Sequence, residues 1–284
     1  MAVTINTNIA SLNAQRRLGA STNELRQTFE KLSSGLRIVR AKDDAAGLAI
    51  ADTLRADQRI AGVAIRNAND GISLISISDG ALNEIGNVLQ RMAELAEQSA
   101  NGTLSSTQRS ALDLEFQALG SEVSRISETT SFNGLQLLSG TASVSLQVGL
   151  DSSTNSQISF KGTEGTLESL GLAAKGSKVL SFSLNAAAGS QQAALSALDA
   201  VKASIGNLVQ NRGTLGAAES RLNVAINNLQ VAKENFSAAE SQIRDVDVAE
   251  EAAKLTRLNI LQQAGASVLA QANQQPALAL SLLG

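Results

Sequence analysis

The chain has 284 residues, enough for one large or two modest domains, with 43% hydrophobic residues and a net charge of −3. It has no Cys, His, Trp or Tyr, one Pro and six Phe. Disulfides, thiolate chemistry, His-based acid–base catalysis and the usual zinc sites are therefore closed to it, and its charge argues against nucleic-acid binding. No apolar run approaches the roughly 20 residues that span a bilayer, and no cofactor is expected.

The first segment places Ile5, Ile9 and Leu12, then Leu18, Leu25, Phe29 and Leu32, on an amphipathic helix. Its opening residues, MAVTINTNIASLNAQRR, lack the basic region, apolar stretch and cleavage site of a secretory signal. Ser33-Ser34-Gly35 is a helix stop, and GLRIVRAKDDAAG follows as a joint. From about Asp44 into the nineties the helical period returns, with Leu82, Ile85, Leu89, Met92 and Ala96 at spacings of 3 and 4. SANGTLSST breaks this helix and offers N-caps for the next, which carries Leu112, Phe116, Leu119, Val123 and Ile126.

From Phe132 to about Gly189 glycine and serine rise and the helical period is lost. Residues 143–148 and 157–161 alternate with period two across a turn-rich linker, which predicts a β-hairpin, and 178–184 reads as a further short strand. From Gln191 a long helical pattern runs to a second joint at Arg244-Asp245-Val246-Asp247. In the last segment Leu258, Leu261, Gly265, Val268 and Ala272 form a coiled-coil seam with small residues where a partner must come close.

The fold class read from this is mainly α: a helical coiled-coil or bundle rod with a small β-hairpin region, its N- and C-terminal helices paired. Residues 1–33 and 246–284 form the terminal helices, 34–44 and 244–248 the joints, 45–130 and 190–243 the helical rod, and 131–189 its hairpin and loop region. Two amphipathic ends suggest surfaces for polymerisation. The adjacent acidic pairs Asp43-Asp44 and Glu250-Glu251 do not converge, because neighbours in a helix face apart.

Several long stretches carry a resemblance: KLSSGLRIVRAKDDAAGLAIA (31–51), RNANDGISL (66–74), GALNEIGNVLQRMAELAEQSANGT (80–103), TSFNGLQLLSG (130–140) and NILQQAGASVLAQANQQPALALSLLG (259–284). Together they resemble bacterial flagellin, in a minimal form without extra outer domains; the terminal helices are also shared by hook–filament junction proteins. The resemblance implies a secreted, non-enzymatic structural subunit that self-assembles into the flagellar filament for swimming motility. It implies terminal helices lining an inner tube, and export without a cleaved signal. Its implied partners are the chain itself, an export chaperone, the filament cap and hook-junction proteins.

The resemblance also implies roles for particular residues. Assembly falls to Ile5, Ile9, Leu12, Leu25, Phe29, Leu32, Leu258, Leu261, Gly265, Val268 and Ala272. For Arg37, Arg40, Lys42, Asp43 and Asp44 the resemblance raises inter-subunit ion pairs beside the plain reading of a solvated charge cluster. Gln90, Arg91, Leu95 and Glu115 match positions read by Toll-like receptor five, with Ala93 standing where many activating flagellins have a second arginine; their other and better-supported role is lateral packing in the filament. Leu280, Leu282 and Leu283 resemble the leucine-rich tail read by inflammasome receptors.

Overall fold

The computed structural model describes residues 7–139, 143–161, 164–185 and 190–281. Five helices carry most of the chain: α1 (Ile9–Ser34), α2 (Ala45–Ser99), α3 (Ser106–Thr129), α4 (Ser190–Arg244) and α5 (Val248–Ser281). Two small antiparallel pairs lie between α3 and α4: β1 (Ser131–Phe132) with β2 (Leu135–Gln136), and β3 (Ser143–Gln147) with β4 (Gln157–Lys161). In the second pair Ser143 faces Lys161 and Gln147 faces Gln157, so the expected hairpin forms. The chain separates into two compact units, 1–58 with 234–284 and 59–233, and α2 and α4 each contribute to both.

Helix ends follow the local chemistry. Gly35 closes α1 with φ 70°, a left-handed conformation that costs glycine little. Ser105 and Gln108 form a reciprocal capping box at the start of α3, satisfying two backbone N–H groups that the first turn leaves unpaired. Asp44 accepts Gly47 N–H (2.9 Å) at the head of α2, and Asp247 accepts Ala249 N–H (2.9 Å) and Glu250 N–H (3.2 Å) at the head of α5.

The unit formed by 59–233 holds the main core. One stripe of α2, from Leu74 and Ile75 through Leu82, Ile85, Leu89 and Met92 to Leu95, packs with Phe116 and Val123 of α3 and Val201, Leu208, Leu215 and Leu222 of α4. The irregular segment 164–185 adds Leu167, Leu170, Leu172 and Leu184 to the same core. Gly71 is buried on α2, and a β-carbon there would overlap Leu146 of β3; Asn67 Nδ2 donates to Gln147 O beside it (3.1 Å).

The predicted strand at 178–184 does not form. Its backbone is held by side chains and a turn instead: Leu184 N–H donates to Asp113 Oδ1 (2.7 Å), Gln117 Nε2 donates to Phe182 O (2.8 Å), and Ser181 N–H donates to Leu172 O (2.9 Å). Alternation alone did not distinguish a segment paired in a ladder from one draped over α3.

Candidate functional site: the paired terminal helices

In the unit formed by 1–58 and 234–284, α1 and α5 run antiparallel. Asn8 Nδ2 donates to Ala272 O (2.7 Å), Ser11 Oγ donates to Asn273 Oδ1 (2.7 Å), Leu18 lies beside Gly265, and Leu36 bridges to Asp245. On α1 the side chains turned inward are Ser11, Ala14, Leu18, Ser21, Leu25, Thr28 and Leu32; on α5 they are Glu251, Leu255, Leu258, Gln262, Gly265, Leu269 and Ala272. Both series keep the alternating 3 and 4 spacing of a coiled-coil seam. Gly265 permits close approach: a β-carbon there would stand 3.3 Å from Leu18 Cδ1.

Several other large apolar side chains of this pair point elsewhere. Ile9, Leu12, Phe29, Ile260, Leu261 and Val268 are exposed, Phe29 by 66%, Leu261 by 49% and Val268 by 59%. The expected seam is therefore refined. Leu18, Leu25 and Leu32 of α1, and Leu258, Gly265 and Ala272 of α5, lie in it or at its edge. Leu261 and Val268 lie outside it, their places taken by Gln262 and Leu269. Moving one residue along a helix turns the side chain by about 100°, so two series sharing every seventh residue describe different faces. Ile5, Leu282 and Leu283 fall outside the described residues, as does the side chain of Leu280.

The first joint is a folded turn. Asp43 Oδ2 accepts N–H groups from Arg40 (3.0 Å) and Val39 (3.2 Å), and Arg40 pairs with Glu30 at 2.6 Å. The Arg40 amide first, then Val39 and the charges of Lys31 and Lys42, hold the Asp43 carboxyl below its ordinary range. Arg37 donates through its backbone N–H to Arg244 O (2.7 Å) and through its guanidinium to Ile243 O, tying the first joint to the second. Lys42 makes no ion pair among the described residues.

On α2 and α3, Arg91 bonds Glu94 (2.9 Å) and Glu115 (3.0 Å), which raise its pKa further above the usual arginine range, Glu94 contributing most. Gln90 is exposed next to this group. Leu95, by contrast, is 1% exposed and belongs to the core, so its side chain is closed to any outside partner. Sequence reasoning missed this because Leu95 and Arg91 are four apart and share a helix face. The spacing of Leu82, Ile85, Leu89 and Met92 marks the buried stripe that Leu95 borders. A polar cleft of about 440 Å³ also lies in the unit formed by 59–233, but Glu128 there is paired with Lys178 (2.7 Å) and Glu168 accepts Gly176 N–H (3.0 Å). Among the described residues no group of three or more carboxylates could hold a metal, and no helix is long and apolar enough to cross a membrane.

A helix pair that closes on leucines and small or polar residues, and leaves further large apolar side chains exposed, fits a class: helical structural proteins that associate through surfaces a single chain leaves open. Residues 5–143 match the bacterial flagellin N-terminal helical region, and residues 198–283 match the bacterial flagellin C-terminal helical region. The chain is 45% identical to a flagellin of Halalkalibacterium halodurans, over 98% of this chain and 99% of that one. It is 41% identical to a flagellin of Bacillus subtilis over the same shares. Polar flagellin F of Vibrio parahaemolyticus is 35% identical over the whole of both chains, aligned across 381 positions against the 284 residues here. The chain belongs to the bacterial flagellin family, in a short form. It is a structural protein and not an enzyme, a subunit that assembles with its own copies into the flagellar filament that serves motility.

Proposed function

We propose that the outward faces of α1 and α5 are where copies of the chain meet in the filament. The observation that carries this reading is the set of large apolar side chains that the helix pair leaves exposed: Ile9, Leu12, Phe29, Ile260, Leu261 and Val268. Covering a Val, Leu or Phe side chain fully is worth about 1.5–3 kcal/mol, so a surface of this kind gains most of its stability from a neighbour. Ile5 extends the same stripe in sequence.

Val268→Asp tests it. The residue is exposed in the single chain, so the monomer should keep its helix content by circular dichroism. In a seeded assembly, sedimentation should show no filament, because a carboxylate buried without a partner costs several kcal/mol at every interface. Wild-type filament yield would refute the assignment of this face.

The joint residues serve the same assembly. Arg37, Arg40, Asp43 and Asp44 first build the turn, and Lys42, with the outer edges of Arg37 and Arg40, is the charge presented to a neighbouring copy. Export without a cleaved signal follows the family resemblance, and a chain lacking cysteine needs no reduction before threading. The export chaperone, filament cap and hook-junction proteins are the further partners that this reading assigns to the terminal helices. A Toll-like receptor five contact is supported at Gln90, Arg91 and Glu115, which are exposed, and not at the buried Leu95. The leucines 280, 282 and 283 carry the inflammasome reading by sequence resemblance.

A further inference from the structure

The sequence holds two Asn-Gly steps, Asn101-Gly102 between α2 and α3 and Asn133-Gly134 between β1 and β2. All four residues are exposed. Such a step is chemically labile, because glycine lacks the side chain that elsewhere shields a peptide nitrogen from the asparagine amide before it. Exposure does not distinguish the two steps, but backbone conformation does. Asn133 has φ 49° and Gly134 φ 79°, and Phe132 pairs with Leu135 across them. This is the two-residue hairpin turn with both central residues left-handed. In that conformation the Asn133 side chain lies on the far side of its Cα–C bond from the Gly134 nitrogen, so the two cannot join in a ring until the turn opens.

Asn101 is not left-handed; among the described residues Asn133 is the one non-glycine with positive φ. The Asn101 Oδ1 accepts Thr103 N–H (3.2 Å), which folds the amide over the Asn101-Gly102 peptide and draws electron density from Cγ. Gly102 N–H makes no hydrogen bond among the described residues. The surrounding carbonyls are held: Asn101 O accepts Arg109 Nη2 (2.9 Å) and Leu104 N–H (3.3 Å), and Ala100 O accepts Gln191 Nε2 (3.0 Å). The loop therefore keeps nucleophile and electrophile together, which lowers the entropic cost of their reaction.

We propose that Asn101 is a site of spontaneous covalent modification, which deamidates through a cyclic imide in the folded chain while Asn133 is protected. The Gly102 nitrogen forms a bond to Asn101 Cγ and gives up its proton to the departing amide. The Cγ–Nδ2 bond breaks and ammonia leaves. One water then opens the five-membered imide at either carbonyl, leaving aspartate or isoaspartate, and nothing is oxidised or reduced. Both products add one negative charge. In isoaspartate the main chain runs through Cβ and Cγ, so the carbonyl that accepts Arg109 and Leu104 becomes a free carboxylate, and the connection between α2 and α3 is rebuilt.

The test incubates the full-length chain in mildly alkaline buffer, folded and in denaturant, and follows the tryptic peptides 92–109 and 126–161 by mass spectrometry. Fragmentation locates the modified residue, and labelling with an isoaspartate methyltransferase identifies the rearranged product. In the folded chain Asn101 should accumulate both products well ahead of Asn133; in denaturant, where the turn no longer holds Asn133, the two rates should converge. Gly102→Ala should lose most of the signal at Asn101. A β-carbon at Gly102 would meet Gln191 Nε2 at 3.9 Å, an ordinary contact, so the variant fits the fold, and continued protection of Asn133 reports that it has folded. Should the variant lose that protection, the comparison of folded with denatured wild type decides by itself. An unmodified Asn101, equal rates at the two steps in the folded chain, modification at Asn133 first, or an undiminished Asn101 signal in folded Gly102→Ala overturns the proposal.

Discussion

Asp43 illustrates how one side chain sets a local pH dependence. Its carboxylate accepts the Arg40 and Val39 amides and feels the positive charges of Lys31 and Lys42, so its folded pKa lies below the ordinary value for aspartate. A depressed carboxyl pKa contributes stability that is present above the unfolded value and is lost as pH falls through the folded one. On titration from about pH 5 downwards, the Val39 and Arg40 amides should lose protection only below the ordinary carboxylate range. Asp43→Asn should flatten that dependence, because its carboxamide oxygen still accepts but does not titrate in this range; amide exchange followed by NMR reads both. Gly71 makes a steric case. A β-carbon there would overlap Leu146 Cδ1 and lie 3.2 Å from Leu222 Cδ1. Gly71→Ala should therefore destabilise the chain by about 1–3 kcal/mol despite alanine's better helix propensity, measured by denaturant unfolding, with Gly71→Ala/Leu146→Ala costing less than the sum of the two single changes.

The β3–β4 hairpin is the element whose packing admits adjustment. Gly149 lies two residues after the end of β3, and a β-carbon there would lie 2.6 Å from the backbone Cα of Ser156, so any larger residue must open the turn rather than rotate a side chain away. A supercoiled filament needs two nearly equal packings of one subunit. Gly149→Val should bias the filament towards a straight or differently coiled form without stopping assembly, read by electron microscopy across pH and salt. An unchanged waveform in a panel at Gly149 and neighbouring rod residues would place the switch in the terminal helices. At this scale the sequence was legible where chemistry is local. Gly35, Ser105 and Asp44 announced helix ends, and the alternation of 143–147 with 157–161 announced the hairpin. It was less legible where two faces compete. Leu258, Gly265 and Ala272 belong both to the series with Leu261 and Val268 and to the series with Gln262 and Leu269. Ranking residues by hydrophobicity favours the first, which is right when a helix buries its greasiest face within its own chain. On the reading proposed above, a subunit that keeps that face for its copies departs from the ranking. Leu95 was misplaced for a related reason: adjacency on a helix was read without asking which side the core occupies.

For the whole molecule, the contrast between the two units governs behaviour outside the filament. The unit formed by 59–233 buries Phe116, Leu82, Ile85, Leu89, Met92 and the leucines of 164–185 in one cluster. In the unit formed by 1–58 and 234–284, the buried apolar residues are Ala14, Ile38, Ala51, Leu258 and Ala272 among the described ones. Burial of apolar area is the main stabilising term, so the second set holds its helices far less firmly than the first. Cleavage by a protease requires local opening, and it is fastest where opening costs least. Limited proteolysis of dilute monomer should therefore remove α1 and α5 first and leave a stable fragment bounded near Ser34 and Arg244, at the two joints. The same protease acting on assembled filament should leave both ends intact, because on the proposed reading neighbouring copies cover the exposed Phe29, Leu261 and Val268. Equal resistance along the whole monomer would show that the terminal pair is stable by itself, and assembly would then have to draw its stability from surfaces other than the outer faces of α1 and α5.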